Sequence, residues 1–141
     1  MVATAGARDA AYVRCLGAER VIDYRAEAFE SVVHGVDTVI DLVGGDVQAR
    51  SFGMLKRGGH LVSAVSPPDQ GLAAAHDVSA EFFLVEVTTE RLARIAALLD
   101  AGGLRVTVGA VLSLADARAS HEMLEGTRPH PRGKIVLRIG G

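Results

Sequence analysis

Val43, Gly44 and Gly45 are the residues best placed to meet a ligand, because they end the most apolar stretch of the chain, residues 36–43. A continuous apolar run between turn signals predicts a parallel strand that is buried on both faces. Open parallel sheets bind ligands at the carboxyl ends of their strands. Glycine there lets a ligand approach the backbone closely, although an ordinary strand-to-helix turn also needs glycine dihedrals. The pattern is therefore compatible with a ligand contact and with a plain turn.

Other residue types that could do chemistry show no catalytic or metal-binding arrangement. Asp41 could act as a catalytic carboxylate, but a strand-end aspartate that caps neighbouring backbone amides is the favoured interpretation. The five histidines lack ligand spacing and Cys15 is the one cysteine, so neither zinc nor a disulfide is expected. No spacing supports a Ser–His–acid or Cys–His nucleophile.

The elements that position these residues alternate between short apolar strands and helical patterns, which predicts an α/β fold with a parallel sheet flanked by helices. Strands are predicted at residues 2–5, 20–23, 36–43, 60–65, 81–87, 105–112 and 134–139. Helices are predicted at residues 8–16, weakly at 27–33, at 46–55 with Asp46 as N-cap, at 89–101, and from a capping box at Ser113 and Asp116 to Gly126. Residues 66–77 are predicted to be a loop.

Length and composition indicate a single globular domain over residues 1–141, with 49% hydrophobic residues. A net charge of −2 without a basic cluster argues against nucleic acid and anionic membranes as partners. The sequence shows neither a membrane-spanning run nor a signal peptide, so a cytoplasmic location is expected.

Six segments, in this order along the chain, carry a resemblance to a known family: ATAG, LGAERVIDYR, GVDTVIDLVGG, MLKRGGHLVS, LLDAGGLR and PRGKIVLRI. The chain resembles the C-terminal, cofactor-binding half of the medium-chain dehydrogenase/reductase superfamily, in its zinc-binding dehydrogenase and quinone oxidoreductase-like branch. The resemblance implies a Rossmann-like fold. It also implies an oxidoreductase in which NADP(H) carries the hydride to a small-molecule quinone, enone or carbonyl substrate.

Two parts of the family pattern do not occur in this sequence: the GroES-like catalytic domain, and the first strand with its G-x-G-x-x-G loop. In the strand order 3-2-1-4-5-6 the first strand is central, so strands 2–5 and 36–43 are expected to flank a gap. We expect the gap to close by direct pairing of these strands or by exchange with a second chain, with a homodimer favoured and a complementary N-terminal chain as the alternative. Alone, the chain is expected to be inactive. Its alternative roles are a non-catalytic interaction module and a weak nucleotide binder.

The resemblance also implies an adenosine site at the ends of the first two predicted strands. Thr4, Gly6 and Arg8 occupy the turn that meets the ribose in the family, where NAD-specific members carry an acidic residue. A glycine and a cation in that turn favour NADP, and Tyr24 is similar to a tyrosine that contacts the adenosine phosphate. The alternatives are a solvated charge at Arg8 and simple packing of Tyr24.

Ser63, Ala64 and Phe83 resemble the strand ends that flank the nicotinamide ring in the family, together with Val65, Phe82 and Leu84. For the phenylalanines, the favoured interpretation is that of ordinary core residues. For these positions the sequence therefore predicts a cofactor contact by resemblance alone.

Overall fold

Five parallel strands form the first of two units, Met1–Val85, in a computed structural model that describes residues 1–140. They divide into two sheets. One sheet pairs β1 with β2, and the other has the order β3-β4-β5. Their bounds are Val2–Ala5, Arg20–Asp23, Val36–Asp41, Leu55–Ser63 and Ser79–Phe82.

Three short helices connect these strands, as crossovers between parallel strands require. They are α1 (Ala10–Cys15), α2 (Gly45–Ser51) and α3 (Gln70–His76). The predicted α/β, Rossmann-like class with parallel sheets is thus confirmed. The prediction that β1 pairs directly with β3 is wrong, because the two strands lie in separate sheets.

Each sheet of the first unit has its own hydrophobic cluster. Ile22, Phe29 and Val33 form the cluster beside the β1-β2 sheet, with Val36 packed against it. The cluster of the three-stranded sheet contains Phe52, Leu61 and Ala73, with Val39 packed against it. The strand β3 therefore contributes to both clusters.

The prediction that β3 is buried on both faces is wrong. Ile40 is 69% exposed, and Leu42 and Val43 beyond the strand are exposed as well. A continuous apolar run indicates a strand that is suited to burial, but it does not show that a neighbour covers both sides.

Three local predictions for the first unit are wrong. Residues 27–33 contain only a 3-10 turn, Phe29–Ser31, because the β-branched Val32 and Val33 disfavour a helix. Residues 66–77 contain α3, whose N-cap Asp69 accepts hydrogen bonds from the amides of Gly71 and Leu72 at 2.7 and 3.0 Å. The N-cap of α2 is Gly44, and Asp46 lies in the first turn.

The second unit, Glu86–Gly141, contains α4 (Thr89–Asp100), α5 (Ala117–Leu124) and a parallel pair of strands, β6 (Val108–Ser113) and β7 (Lys134–Arg138). The predicted capping box is wrong: the Ser113 hydroxyl donates to the Asp116 carboxylate at 2.6 Å instead of accepting from a backbone amide. Across residues 1–140 no helix is both long and apolar enough to cross a bilayer. The prediction of one domain over 1–141 stays a prediction.

Candidate functional site

The predicted site residues lie at the carboxyl ends of all five strands of the first unit. Thr4, Gly6 and Arg8 lie at the end of β1 and just after it, and Tyr24 follows β2. The others follow or end the three-stranded sheet: Val43, Gly44 and Gly45 after β3, Ser63 and Ala64 at the end of β4, and Phe83 after β5. In each of the two sheets these residues lie at the end where open parallel sheets bind ligands.

Asp41 is the centre of a buried hydrogen-bond network at this edge. One carboxylate oxygen, Oδ1, accepts from the amides of Val43 at 3.0 Å and Gly44 at 2.9 Å. The other oxygen, Oδ2, accepts from the Ser63 hydroxyl and from the Gln48 side-chain amide, both at 2.8 Å. The prediction that Asp41 caps local backbone amides is confirmed, and with four donors the carboxylate fixes the turn that follows β3.

Gln48 and Ser66 complete the network, and sequence reasoning missed both. Besides Asp41, the Gln48 amide donates to the Ser66 carbonyl at 3.1 Å, while the Ser63 hydroxyl accepts from the amides of Val65 and Ser66 at 3.2 and 3.3 Å. The turns after β3 and β4 are therefore held to each other. The one available signal was the i, i+7 spacing of Asp41 and Gln48 across a strand–turn–helix, which is weak without a structure.

The pKa of Asp41 lies below its ordinary value. Burial raises it, but the hydrogen bonds from Gly44, Val43, Ser63 and Gln48 together outweigh that effect because they stabilise the ionised form. Asp41 is thus a fixed anion with all its partners inside the protein, which suits a structural role better than proton transfer.

The backbone at Gly44 requires a residue without a side chain. Its φ is +78°, and a Cβ placed on it would lie 3.1 Å from Cγ1 of Val65. Gly45 also has a positive φ, of 56°. Gly44 lets the backbone pass close to the turn after β4, and both glycines have the positive φ that the turn requires, so the plain-turn interpretation holds. A ligand contact at the same residues stays a prediction.

The turns after β4 and β5 are joined through the backbone. The Phe83 amide donates to the Ser63 carbonyl at 3.1 Å, and the Ala64 amide donates to the Asp41 carbonyl at 3.1 Å. Phe83 is exposed, which excludes the interpretation as an ordinary core residue.

Gly6 and Tyr24 come together at the ends of β1 and β2. The Tyr24 hydroxyl oxygen would lie 4.0 Å from a Cβ placed on Gly6, and the Arg25 guanidinium carbon lies 5.6 Å from the centre of the Tyr24 ring. Tyr24 is 54% exposed, so its hydroxyl can reach a ligand. Arg25 is a second cation at this corner that the sequence reasoning had not named.

A cleft of about 850 Å³ separates β1 from β3. Val2, Ala3 and Thr4 of β1 and all six residues of β3 line it. Thr4 and Val43 are the predicted site residues in the lining. Among residues 1–140, no three His, Cys, Asp or Glu side chains come close enough to bind a metal ion. The expected absence of zinc stays a prediction.

Similar proteins were found at the levels of sequence family and structure. A family model described as zinc-binding dehydrogenase matches residues 16–137. The quinone oxidoreductase of Coxiella burnetii has 33% sequence identity and a TM-score of 0.83, over 99% of this chain and 44% of that one. A mycobacterial protein complexed with NADPH has 25% identity and a TM-score of 0.69, over 98% of this chain and 48% of that one.

A curated relative was also found in the fungus Arthroderma benhamiae. It is a probable mitochondrial zinc-binding oxidoreductase that is 29% identical over 99% of this chain and 44% of its own length. The chain therefore spans less than half the length of the proteins that it matches.

Proposed function

We propose, because this chain belongs to the zinc-binding dehydrogenase family, that it forms the nucleotide-binding part of an oxidoreductase acting on a quinone, enone or carbonyl compound. The observation that carries this proposal is the Asp41 network, which joins the turns after β3 and β4 at the carboxyl ends of the three-stranded parallel sheet. The bound nicotinamide would supply the hydride, and the protein would bind and orient it.

The cofactor proposed is NADP(H). Gly6 has no side chain, and Tyr24 presents an exposed hydroxyl next to it. Neither residue is an acid that would repel a 2′-phosphate. Arg8 adds a cation just after β1. The similar mycobacterial structure contains NADPH, which supports the same choice here.

The dinucleotide would lie along the ends of β3, β4 and β5 in this proposal. The Gly44–Gly45 turn offers close backbone approach, while Ser63, Ala64 and Phe83 lie next to it on the neighbouring strands. The Asp41 network holds these turns rigid, so the ligand would not have to order them on binding.

Activity is proposed only for a complete assembly, because the chain spans 44% of the length of its curated relative. A complementary N-terminal segment would supply the substrate site and the glycine-rich loop. A cytoplasmic location stays a prediction.

Nucleotide titration tests the cofactor proposal. NADPH fluorescence is followed as the chain is added, with NADH measured in parallel. We expect NADPH to bind about tenfold more tightly, as one charge-assisted contact allows, and Arg8→Ala to remove the difference. Arg14→Ala, an exposed cation on α1, is the matched control and should change nothing. Equal affinities for both nucleotides would overturn the NADP preference.

A second candidate function is a non-catalytic interaction or oligomerisation module. The exposed apolar residues Ile40, Leu42 and Val43 on one strand and its following turn favour it. Light scattering from micromolar to millimolar concentration separates the two functions when it is combined with the titration. A homodimer that binds neither nucleotide would favour the module.

A further inference from the structure

We infer that the hydroxyl group of Ser66 donates a hydrogen bond to the carbonyl oxygen of an uncharged ligand group at the carboxyl ends of β3 and β4. The inference rests on the proposed function, because the carboxamide of a nicotinamide and a quinone or enone substrate both contain such an oxygen. It assigns a ligand contact to a residue that the sequence patterns had not placed in the site.

The position of Ser66 is fixed through its backbone. Its amide donates to the Ser63 hydroxyl at 3.3 Å, and its carbonyl accepts from the side-chain amide of Gln48 at 3.1 Å. Gln48 is buried and also donates to Asp41 at 2.8 Å, which ties Ser66 to the ends of two strands. Both backbone groups of Ser66 are thus satisfied without its hydroxyl group.

The hydroxyl group of Ser66 has a hydrogen that it can donate. Its oxygen lies 3.4 Å from the Gln48 amide nitrogen and accepts from it, and the described residues offer its hydrogen no acceptor. A hydroxyl oxygen that accepts on one side directs its own hydrogen elsewhere. Because Ser66 is only half-buried, a ligand can reach that hydrogen.

The Ser66 hydroxyl group lies next to the Gly44 turn and near an exposed aromatic residue. Its oxygen would be 3.4 Å from a Cβ placed on Gly44, so the glycine leaves space beside it. The exposed Phe83 follows β5, and its amide donates to the Ser63 carbonyl at 3.1 Å. Small-molecule sites combine apolar side chains with a few polar groups that orient the ligand, and Ser66 is such a polar group.

The charge beside Ser66 favours a neutral acceptor over an anion. Asp41 is the fixed anion of the network, and a single amide group, that of Gln48, bonds to both Asp41 and Ser66. A carboxylate or phosphate at the Ser66 hydroxyl would be repelled by this negative charge, whereas a carbonyl oxygen has no net charge. We therefore expect a carbonyl oxygen as the acceptor.

Calorimetric titration of the intact chain compares NADPH with its thionicotinamide analogue, in which sulfur replaces the carboxamide oxygen and accepts hydrogen bonds poorly. Ser66→Ala should weaken NADPH binding roughly two- to tenfold, as expected for one hydrogen bond, and leave binding of the analogue unchanged. Ser66→Thr keeps a hydroxyl group and should restore the affinity for NADPH. Ser79→Ala is the matched control, because Ser79 begins β5 at the opposite end of the same sheet, and it should change neither affinity.

A second titration distinguishes the source of the carbonyl group. The chain is saturated with NADP⁺, and menadione is compared with methylnaphthalene, which has the same ring system without the two oxygens. If Ser66→Ala weakens binding of menadione but not of the hydrocarbon, the hydroxyl group binds the substrate. If it weakens binding of NADPH but not of the thionicotinamide analogue, the hydroxyl group binds the carboxamide. Either result supports the inference.

The remaining outcomes overturn the inference. Equal losses for both ligands of a pair would show that Ser66 affects only the shape of the turn, and no loss in either titration would show that its hydroxyl group contacts neither ligand. Failure of the parent chain to bind any nucleotide would overturn the proposed function, and the inference with it. Ser66→Ala and Ser66→Thr should retain the circular dichroism of the parent chain, because the backbone bonds of Ser66 do not involve its hydroxyl group.

Discussion

Asp41 and Ser63 lie opposite each other in the register of two parallel strands, and the Ser63 hydroxyl donates to the Asp41 carboxylate at 2.8 Å. This bond joins the carboxyl ends of β3 and β4 at the point where both strands turn away from the sheet. The turns that would receive a nucleotide are therefore fixed by a side-chain pair as well as by the backbone ladder.

Replacement of Asp41 by asparagine should lower the free energy of unfolding by about 1–3 kcal/mol, because a buried acceptor of four hydrogen bonds becomes partly a donor. Urea denaturation followed by circular dichroism measures the change. Asp46→Asn, an exposed acid in the first turn of α2, is the control and should stay within about 0.5 kcal/mol of the parent chain. An equal effect of both substitutions would contradict the network as its source.

Stability should fall on acidification, in part through Asp41. Its pKa is lower in the folded chain than in the unfolded chain, where an aspartate titrates at about 3.9. The contribution is therefore complete above that value and is lost as the pH falls through the folded pKa. Denaturation at a series of pH values should show a shallower acid loss for Asp41→Asn than for the parent chain.

Two carboxyl groups in ion pairs, the half-buried Glu30 beside Arg50 and the exposed Asp37 beside Lys56, also have lowered pKa values. High salt screens such surface pairs but acts little on a buried group. The difference between the parent chain and Asp41→Asn should therefore persist at high salt. If the difference disappeared at high salt, the acid sensitivity would come from the surface ion pairs instead.

Gly44→Ala should destabilise the first unit by about 1–2 kcal/mol, because φ is +78° and the new methyl group would press on Val65. Gly53→Ala is the matched control, since Gly53 is exposed, has no positive φ and has open space around a Cβ. Thermal unfolding of both variants distinguishes them. A similar change in melting temperature for both would contradict the conformational argument.

The isolated chain should show no NADPH-dependent reduction of quinones or enones above background. The sequence has no G-x-G-x-x-G loop to place a helix N-terminus against a pyrophosphate. NADPH oxidation is followed at 340 nm with a purified, metal-free sample. Turnover clearly above a no-protein control would contradict this prediction and would place the whole site within these residues.

The fold class and the cap at Asp41 could be predicted from local patterns and from resemblance. Gln48 and Ser66 could not, because their roles depend on how the turns after β3 and β4 meet in space. The exposure of Ile40 could not be predicted either, since the apolar character of a residue does not show which neighbours lie beside it. The helix α3 was obscured by Pro67 and Pro68, although Asp69 is an ordinary N-cap signal.

The two hydrophobic clusters of the first unit have a consequence for its local unfolding. Since Val36 of β3 packs on one cluster and Val39 on the other, the strand couples two small cooperative units. Amides in the β1-β2 sheet and in the β3-β4-β5 sheet should therefore open with two distinct free energies, which native-state hydrogen exchange resolves as separate foldons. Residues of β3 would open at the higher of the two, because their release requires both clusters to come apart.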